Sequence, residues 1–400
     1  MTSTHAQRLF DGESWVDDVT IVEDGGMIVS LQQGHAAGAD SVPTVLPGLV
    51  DSGAWIEGYV EGPLSDGPFF PESSFCTLCR AHGVTSVVDL GAGVGVARWL
   101  LHSPMLNVLS AIARVCDIPT RRSDLVVDPT ELGEVLECLQ TLGARLVSLG
   151  LFDPVDSSER ASVLARHGPV VVGQHVGHRP RPSFLVLGDD QTVQAGLAAG
   201  SMVEPPRDAF VAPQLLATSL WTVDGMLRGG DGTQARPFLP YMKHFEGASN
   251  FMSRRIARDI LTKLYGHQRP EDLDGGIETS LGRVSSDRIL AASGAGTPGI
   301  VPGQAIWDEL LLIEKLKGTE GALQSATANA ADAYPGLGAG RVKAGYRCDL
   351  ALVDVVPQPC RVADLRERLL GVVVGGERED ITVERLRIKE LCATADRRAI

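Results

Sequence analysis

Between Leu49 and Lys317, short apolar runs alternate with stretches of helical length, and that alternation confines the chain to the α/β class. The pattern predicts strands at Leu49–Asp51, Thr85–Leu90, Val108–Val115, Leu146–Leu151, Val170–Val172, Met202–Glu204, Gln214–Ala217 and Arg288–Ala292. Helical stretches between or after them include Ser73–His82, Thr130–Leu142, Ser157–His167, Thr192–Ala199 and Gln304–Lys317. Eight strand–helix units fit a closed (β/α)8 TIM barrel better than an open doubly wound sheet. The first unit also lacks a Gly-x-Gly-x-x-Gly turn, and Gly91-Ala-Gly-Val-Gly95 after the second strand misses the final spacing.

Both ends of the chain read differently. Asp18 to Ser30 places β-formers around Asp24-Gly-Gly26, a hairpin signal, and strands return at Gly345–Asp354 and Leu370–Gly376. This predicts a small β-sandwich domain made of residues 1–47 and 341–400, packed on a barrel spanning 48–340. No internal repeat is visible. The longest irregular stretch, Trp221 to Asn250, exceeds what a connection needs and reads as a lid or an interface.

Charge and composition narrow the partners. Lys and Arg number 36 against 50 Asp and Glu, a net charge of −14, which opposes binding to nucleic acid or an anionic membrane. No apolar run is long enough to span a bilayer, and Met1 to Phe10 lacks the apolar core of a secretory signal. Seven scattered cysteines suit reduced thiols rather than a disulfide scaffold. Cys76-Thr-Leu-Cys79 has no second pair for zinc and reads as two small core residues on a helix. The expectation is a cytoplasmic protein without a cofactor, whose partners are a small-molecule substrate and its own copy as a homodimer. No Gly-x-Ser-x-Gly elbow or Walker loop appears.

Five segments carry a family resemblance. They are Val45-Leu-Pro-Gly-Leu-Val-Asp51, Gly83-Val-Thr-Ser-Val-Val-Asp-Leu-Gly91, Gly294-Ala-Gly-Thr-Pro-Gly299 followed by Asp308-Glu-Leu310, Ala326-Thr-Ala-Asn-Ala-Ala331, and Gly345 to Asp354. In order and spacing they resemble the amidohydrolase superfamily, in its imidazolonepropionase-like branch. The resemblance implies the barrel with its small β-sandwich. It also implies one or two divalent ions held by His-x-His on strand one, Lys or Glu on strand four, His on strands five and six, and Asp on strand eight.

The residues at those positions are Gly53 and Trp55, Ser148, Gly173, Pro205 and Gly294. None offers imidazole or carboxylate, and a zinc site needs three or four such ligands. The expectation is therefore no metal, and loss of the strand-eight Asp removes the family's proton carrier as well. Trp55 either lines a pocket for an aromatic guest or plugs the barrel mouth.

Candidate chemistry without a metal rests on few residues. His175 and His178 follow strand five, where imidazoles can act as acid and base; a solvated loop is the bland alternative. With the register moved by two, His175 becomes strand five's ligand. Tyr241, Lys243, His244 and Glu246 lie in the long irregular stretch, as donors, base and carboxylate or as a charged surface segment. Asp89 ends strand two, either as a catalytic carboxylate or as a structural hydrogen-bond acceptor. Glu57 and Glu61 follow strand one, and Asp153 follows strand four, all placed to line the rim. Ser148 and Glu57 join Trp55, Tyr241 and Lys243 as substrate-binding candidates. The function expected is non-hydrolytic catalysis on a small aromatic or amide-bearing substrate: cyclisation, isomerisation or elimination, within specialised metabolism. A silent scaffold subunit or a residual C–N hydrolase are the alternatives.

Overall fold

The alternation in the first fifty residues builds a sheet with one face of its own and one shared with the rest of the chain. The computed structural model describes residues 1–56, 74–91, 106–111, 113–116, 125–149, 170–174, 185–187, 210–212, 214, 284–296, 300–355 and 358–398. Strands β1 (Thr2–Phe10), β2 (Trp15–Asp24) and β3 (Met27–Gln33) form an antiparallel meander, and β4 (Asp40–Pro47) returns parallel to β1. The β2–β3 turn is the expected one. Gly25 and Gly26 have φ of +59° and +82°, a left-handed pair that glycine adopts without strain. A Cβ on Gly26 would lie 2.8 Å from the Gly375 carbonyl oxygen, so the turn also needs glycine for close approach.

After Gly48 the strands lose their polar face. All six residues of β5 (Leu49–Ala54) are buried, as are all six of β6 (Val84–Asp89), which follows the short helix α1 (Phe75–Arg80). Strands buried on both faces are what a parallel sheet covered by helices requires. β5, β6 and β7 (Asn107–Ser110) pair in parallel. β8 (Arg114–Cys116) pairs in parallel with β9 (Leu125–Val126) and, after helix α2 (Leu132–Thr141), with β10 (Leu146–Leu149). β10 in turn pairs in parallel with β11 (Val170–Gln174). β12 (Leu185–Leu187) runs antiparallel to both β11 and β13 (Phe210–Ala212).

The segment 289–295 then lies between β13 and β5. Val211 bridges in parallel to Ile289, and Leu290 N–H donates to the Val211 carbonyl at 2.9 Å. Beyond Ile289 the chain runs alongside β5, with Ser52 N–H donating to Ala291 O (2.9 Å), Gly294 N–H to Gly53 O (2.8 Å) and Trp55 N–H to Ala295 O (2.5 Å). One apolar cluster collects Val50, Val88, Leu109, Leu146, Ala212, Leu290 and Ala292, with Trp55 and Tyr334. Their sequence neighbours Leu49, Val87, Val211, Ile289 and Ala291 belong to a second cluster, shared with the helices.

Two helices follow this layer. α3 (Gln304–Ser325) is interrupted at Gly318, whose φ of 73° and ψ of 174° kink it, and α4 (Ala328–Ala333) follows. β14 (Leu350–Val353), β15 (Leu369–Val374) and β16 (Glu377–Asp380) then extend the first sheet to seven strands, in the order β16-β15-β14-β4-β1-β2-β3. Period-two alternation divides β14: Leu350 and Leu352 join the sheet's own core, while Ala351 and Val353 pack into the helix-covered core. Helix α5 (Val362–Glu367) connects β14 to β15, and α6 (Ile381–Arg398) ends the described chain.

Several boundaries differ from expectation. Strand Val108–Val115 is split into β7 and β8. Of the strand expected at 214–217, only Gln214 lies among the described residues, with a φ of +45°, and β13 lies just before it. Arg288–Ala292 bonds to β13 through Leu290 N–H and to β5 through Ala291 O, without forming a regular strand. β12 was not expected, since Leu185-Val-Leu187 is too short to stand out. Strands predicted as a small sandwich form one seven-stranded sheet among the described residues, and α6 leaves it to pack on α1. The predicted strand at 202–204 and helices at 157–167 and 192–199 lie outside the described residues, as does nearly all of 221–250. No helix among the described residues is long and apolar enough to cross a membrane.

The α1–α6 contact is held by charge. Arg80 and Glu384, both buried, pair through Nη2 and Oε1 at 2.5 Å, with Arg387 joining Glu384 at 2.8 Å. Removing one partner of a buried pair strands the other's charge. We expect Glu384→Ala to lower unfolding free energy by about 3 kcal/mol, read as an earlier denaturant midpoint. Glu379→Ala, which removes a 4.0 Å contact to Arg80 and a 3.7 Å contact to the half-exposed Arg387, should shift it by less than a third of that.

Candidate functional site

The ends of the buried strands converge where β5 meets the 289–295 segment, and a carboxylate holds that seam. Asp51 is fully buried in β5. Its Oδ1 accepts from Ser293 N–H at 3.0 Å and from Gly53 N–H at 3.2 Å, while Oδ2 accepts from the Ser293 hydroxyl. Ser293 Oγ in turn accepts from Ala295 N–H at 2.9 Å. Burial pushes the Asp51 carboxyl above its ordinary 3.8, and the Ser293 and Gly53 bonds pull it partly back. Tyr334, from the turn after α4, donates its hydroxyl to Ser52 O at 3.1 Å and closes the opposite side of the layer. Burial pushes that phenol up, so it stays protonated and remains a donor.

Asp89 does the equivalent work between β5, β6 and β7. Fully buried, it accepts from Ile56 N–H (3.1 Å) and Gly91 N–H (3.0 Å) through Oδ1, and from Ser110 Oγ (2.8 Å) through Oδ2. It thus ties the tips of three strands.

Beyond these ties lies a layer of side chains at the strand tips. Trp55 is 2% exposed, Arg114 4% and Ser148 1%. The Arg114 guanidinium carbon lies 5.9 Å from the Trp55 ring centroid, and Arg114 is the register partner of Ser148 across β8 and β10. This places two of the sequence-chosen residues, Trp55 and Ser148, around a buried cation that was not chosen. Gln214 adds an amide. A Cβ built on Gly53 would lie 3.0 Å from Gln214 Nε2, 3.0 Å from the Ala292 Cβ and 3.3 Å from Leu90 Cδ1.

These residues do not fit the metal that the resemblance implies. Gly53 has no side chain, and its would-be Cβ position is already crowded. Trp55 is in an apolar cluster, Ser148 offers a hydroxyl, and Gly173 and Gly294 contribute backbone only. Gly296 lets the chain pass so close to Trp55 that a Cβ there would overlap the Trp55 carbonyl. Among the described residues, no three His, Cys, Asp or Glu side chains gather as a metal site requires. Pro205 lies outside the described residues. So do His175, His178, Tyr241, Lys243, His244, Glu246, Glu57, Glu61 and Asp153.

Sequence reasoning passed over Asp51, Arg114 and Gln214. Arg114 carried a signal, a lone cation inside the apolar run Val108 to Cys116. A cation there has to find partners in the interior. Asp51 carried the same signal in Leu49-Val-Asp51, whereas Gln214 carried none.

No family model matches the sequence, and no curated protein matches it. Solved structures do. A Xaa-Pro dipeptidase with bound methionine aligns over 95% of this chain and 99% of its own, at 17% identity and a TM-score of 0.58. Aspergillus niger ochratoxinase aligns over 95% of each chain at 15% identity and 0.56. The N-acetyl-D-glucosamine-6-phosphate deacetylase of Mycobacterium smegmatis aligns over 94% of this chain and 99% of its own, at 19% and 0.51. The fold is the mixed α/β fold of amidohydrolase structures. At such identities the likeness concerns backbone alone.

Asp51 gives the site a pH signature. The folded state holds its proton more tightly than the unfolded chain, so its contribution is greatest in acid. That contribution is lost as pH rises from 3.8 through the higher folded value. Unfolding free energy of the wild type minus that of Asp51→Asn should therefore fall between pH 4 and pH 7. A difference that stays flat or rises would remove the buried-carboxyl account.

Proposed function

We propose that the chain is an amidohydrolase-superfamily protein of the imidazolonepropionase-like branch, working without the family's metal. Under this reading residues 48–340 form the (β/α)8 barrel, and 1–47 with 341–400 form the small domain. The barrel mouth binds a small aromatic or amide-bearing molecule and converts it by cyclisation, isomerisation or elimination. The observation that carries the proposal is the set Gly53, Trp55, Ser148, Gly173 and Gly294 at positions where ligands belong, with the Gly53 position closed by Ala292 and Gln214.

In such a site the chain's own residues supply what catalysis needs. Trp55 and its cluster exclude water and hold a planar ring, which favours one reactive conformer of a flexible substrate. Arg114, buried beside Trp55, steadies negative charge that develops on an oxygen during the reaction. His175, His178 or His244, with Glu246, moves the proton. Asp51 and Asp89 position the strand tips and touch no substrate. The protein acts in the cytoplasm on a small molecule, as a homodimer.

A second reading has its own support. The similar solved structures are named as a dipeptidase, an ochratoxinase, a deacetylase and a molinate hydrolase, which favours hydrolysis of a C–N or related bond. Elemental mass spectrometry of protein purified without chelator separates the two. We expect substoichiometric zinc, manganese and iron; one equivalent of any of them would restore metal-assisted hydrolysis.

A thermal-shift screen of aromatic amides and lactams, followed by product analysis, tests turnover. His175→Ala or His244→Ala should reduce turnover by about 100-fold if that imidazole carries the proton, with binding retained. Binding without any product in the wild type would instead mark a silent binding subunit.

A further inference from the structure

Outside the strand-tip layer, the seven-stranded sheet carries its own group of reactive side chains. His5 lies in β1, with Thr20 of β2 and Ser41 of β4 as its register partners on either side. Cross-strand partners share a face of the sheet, so their side chains can meet. His5 is 6% exposed. Its Nε2 lies 2.9 Å from Asp18 Oδ1, and its Nδ1 lies 3.2 Å from Ser41 Oγ. His35 packs edge-on against it, with ring centroids 4.6 Å apart.

The pattern is a hydroxyl, an imidazole and a carboxylate in line, and the partners fix which ring nitrogen holds the proton. A carboxylate only accepts, so Nε2 carries the hydrogen and donates it to Asp18. That leaves the Nδ1 lone pair facing Ser41, whose hydroxyl donates to it. An imidazole held in this tautomer is a general base aimed at a serine oxygen.

The backbone spends strain on this arrangement. Asp18 stands at a left-handed φ of +56°, an uncommon conformation for a residue with a side chain. Its carbonyl accepts from Gly34 N–H at 2.6 Å and from Gln33 Nε2 at 3.0 Å, which holds it there. The loop bearing His35 is fastened separately. Thr20 Oγ1 donates to Gly34 O at 2.6 Å and accepts from Ala36 N–H at 3.0 Å. The Ser41–His5–Asp18 chain is therefore not needed to hold that loop. Ser41 is itself exposed, so a nucleophile there meets solutes directly.

We propose that Ser41 is a nucleophile activated by His5, and that this second site hydrolyses short-chain carboxylic esters. It stands independently of the barrel-mouth reading. Ser41 Oγ bonds to the acyl carbon as its proton passes to His5 Nδ1. The C–O bond to the alcohol then breaks, and His5 returns the proton to the leaving oxygen. Water repeats the sequence on the acyl-serine, releasing the carboxylic acid and restoring the Ser41 hydroxyl. Asp18 steadies the imidazolium that forms in each half and acts as a positioning residue. His35 is the side chain we assign as donor to the acyl oxygen. An exposed serine beside a carboxylate that is itself 61% exposed offers no deep pocket for a long acyl chain, which sets the substrate class.

The test treats the full chain with a fluorophosphonate probe, maps the adduct by peptide mass spectrometry, and follows hydrolysis of p-nitrophenyl acetate. We expect the adduct on Ser41 and its loss in Ser41→Ala. His5→Gln should slow labelling by about 100-fold, the usual contribution of a positioned base. Asp18→Asn keeps a residue that tolerates the left-handed backbone but offers an amide in place of the carboxylate. It should lower kcat about tenfold with KM and thermal midpoint unchanged, and the His5 ring 15N shifts should lose the Nε2–H pattern of the wild type. Should His5→Gln fail to fold, Ser41→Ala and Asp18→Asn still decide. An unlabelled Ser41, or a labelling rate unchanged in Asp18→Asn, would overturn the assignment and leave a structural hydrogen-bond chain.

Discussion

The strand tips depend on a seam closed across 242 residues of sequence, where Asp51 grips the main chain and hydroxyl of Ser293. Without that grip, β5 would meet the 289–295 segment through a few ladder bonds only, on a stretch whose glycines resist regular strand geometry. A charged group is an expensive tie in an apolar layer. Here three donors converge on it, so the desolvation cost is partly offset and the geometry is directional. Asp89 repeats the device one strand along. The two carboxylates hold Gly53, Trp55 and Ile56 in place, and therefore the floor on which any ligand rests.

At the strand tips, the described side chains offer shape more than charge. Ligand positions for a hydrated ion need several anionic or imidazole donors held apart by a polar shell. This chain instead brings together an indole, a buried guanidinium, a hydroxyl and an amide, with glycines letting the backbones approach. An interior of this kind discriminates by fit and by hydrogen-bond pattern.

Much of the architecture was legible because it follows from periodicity. Apolar runs of strand length at 49, 84, 146 and 170 cannot be exposed, and strands buried on both faces require helices between them. Asp24-Gly-Gly26 announced its turn because the φ values there favour glycine. What escaped was short or cooperative. β12 has three residues, and β13 lies where Pro213 and the left-handed Gln214 interrupt the pattern that suggested a strand further on. The seven-stranded sheet takes neighbours from both ends of the chain, a pairing that neither end encodes alone.

The site divides along the same line. From its letters alone, the chain determined that the positions at 53, 55, 148, 173 and 294 hold no imidazole or carboxylate, since residue identity is a local property. It also determined that Trp55 is large and apolar at a position where the resemblance implies a ligand. Only the tertiary structure decided that Asp51 serves Ser293, that Arg114 lies beside Trp55, and that the Gln214 amide faces Gly53. Each of those joins residues from separate strands, and contacts of that range are set by how the sheet closes rather than by any neighbouring residue.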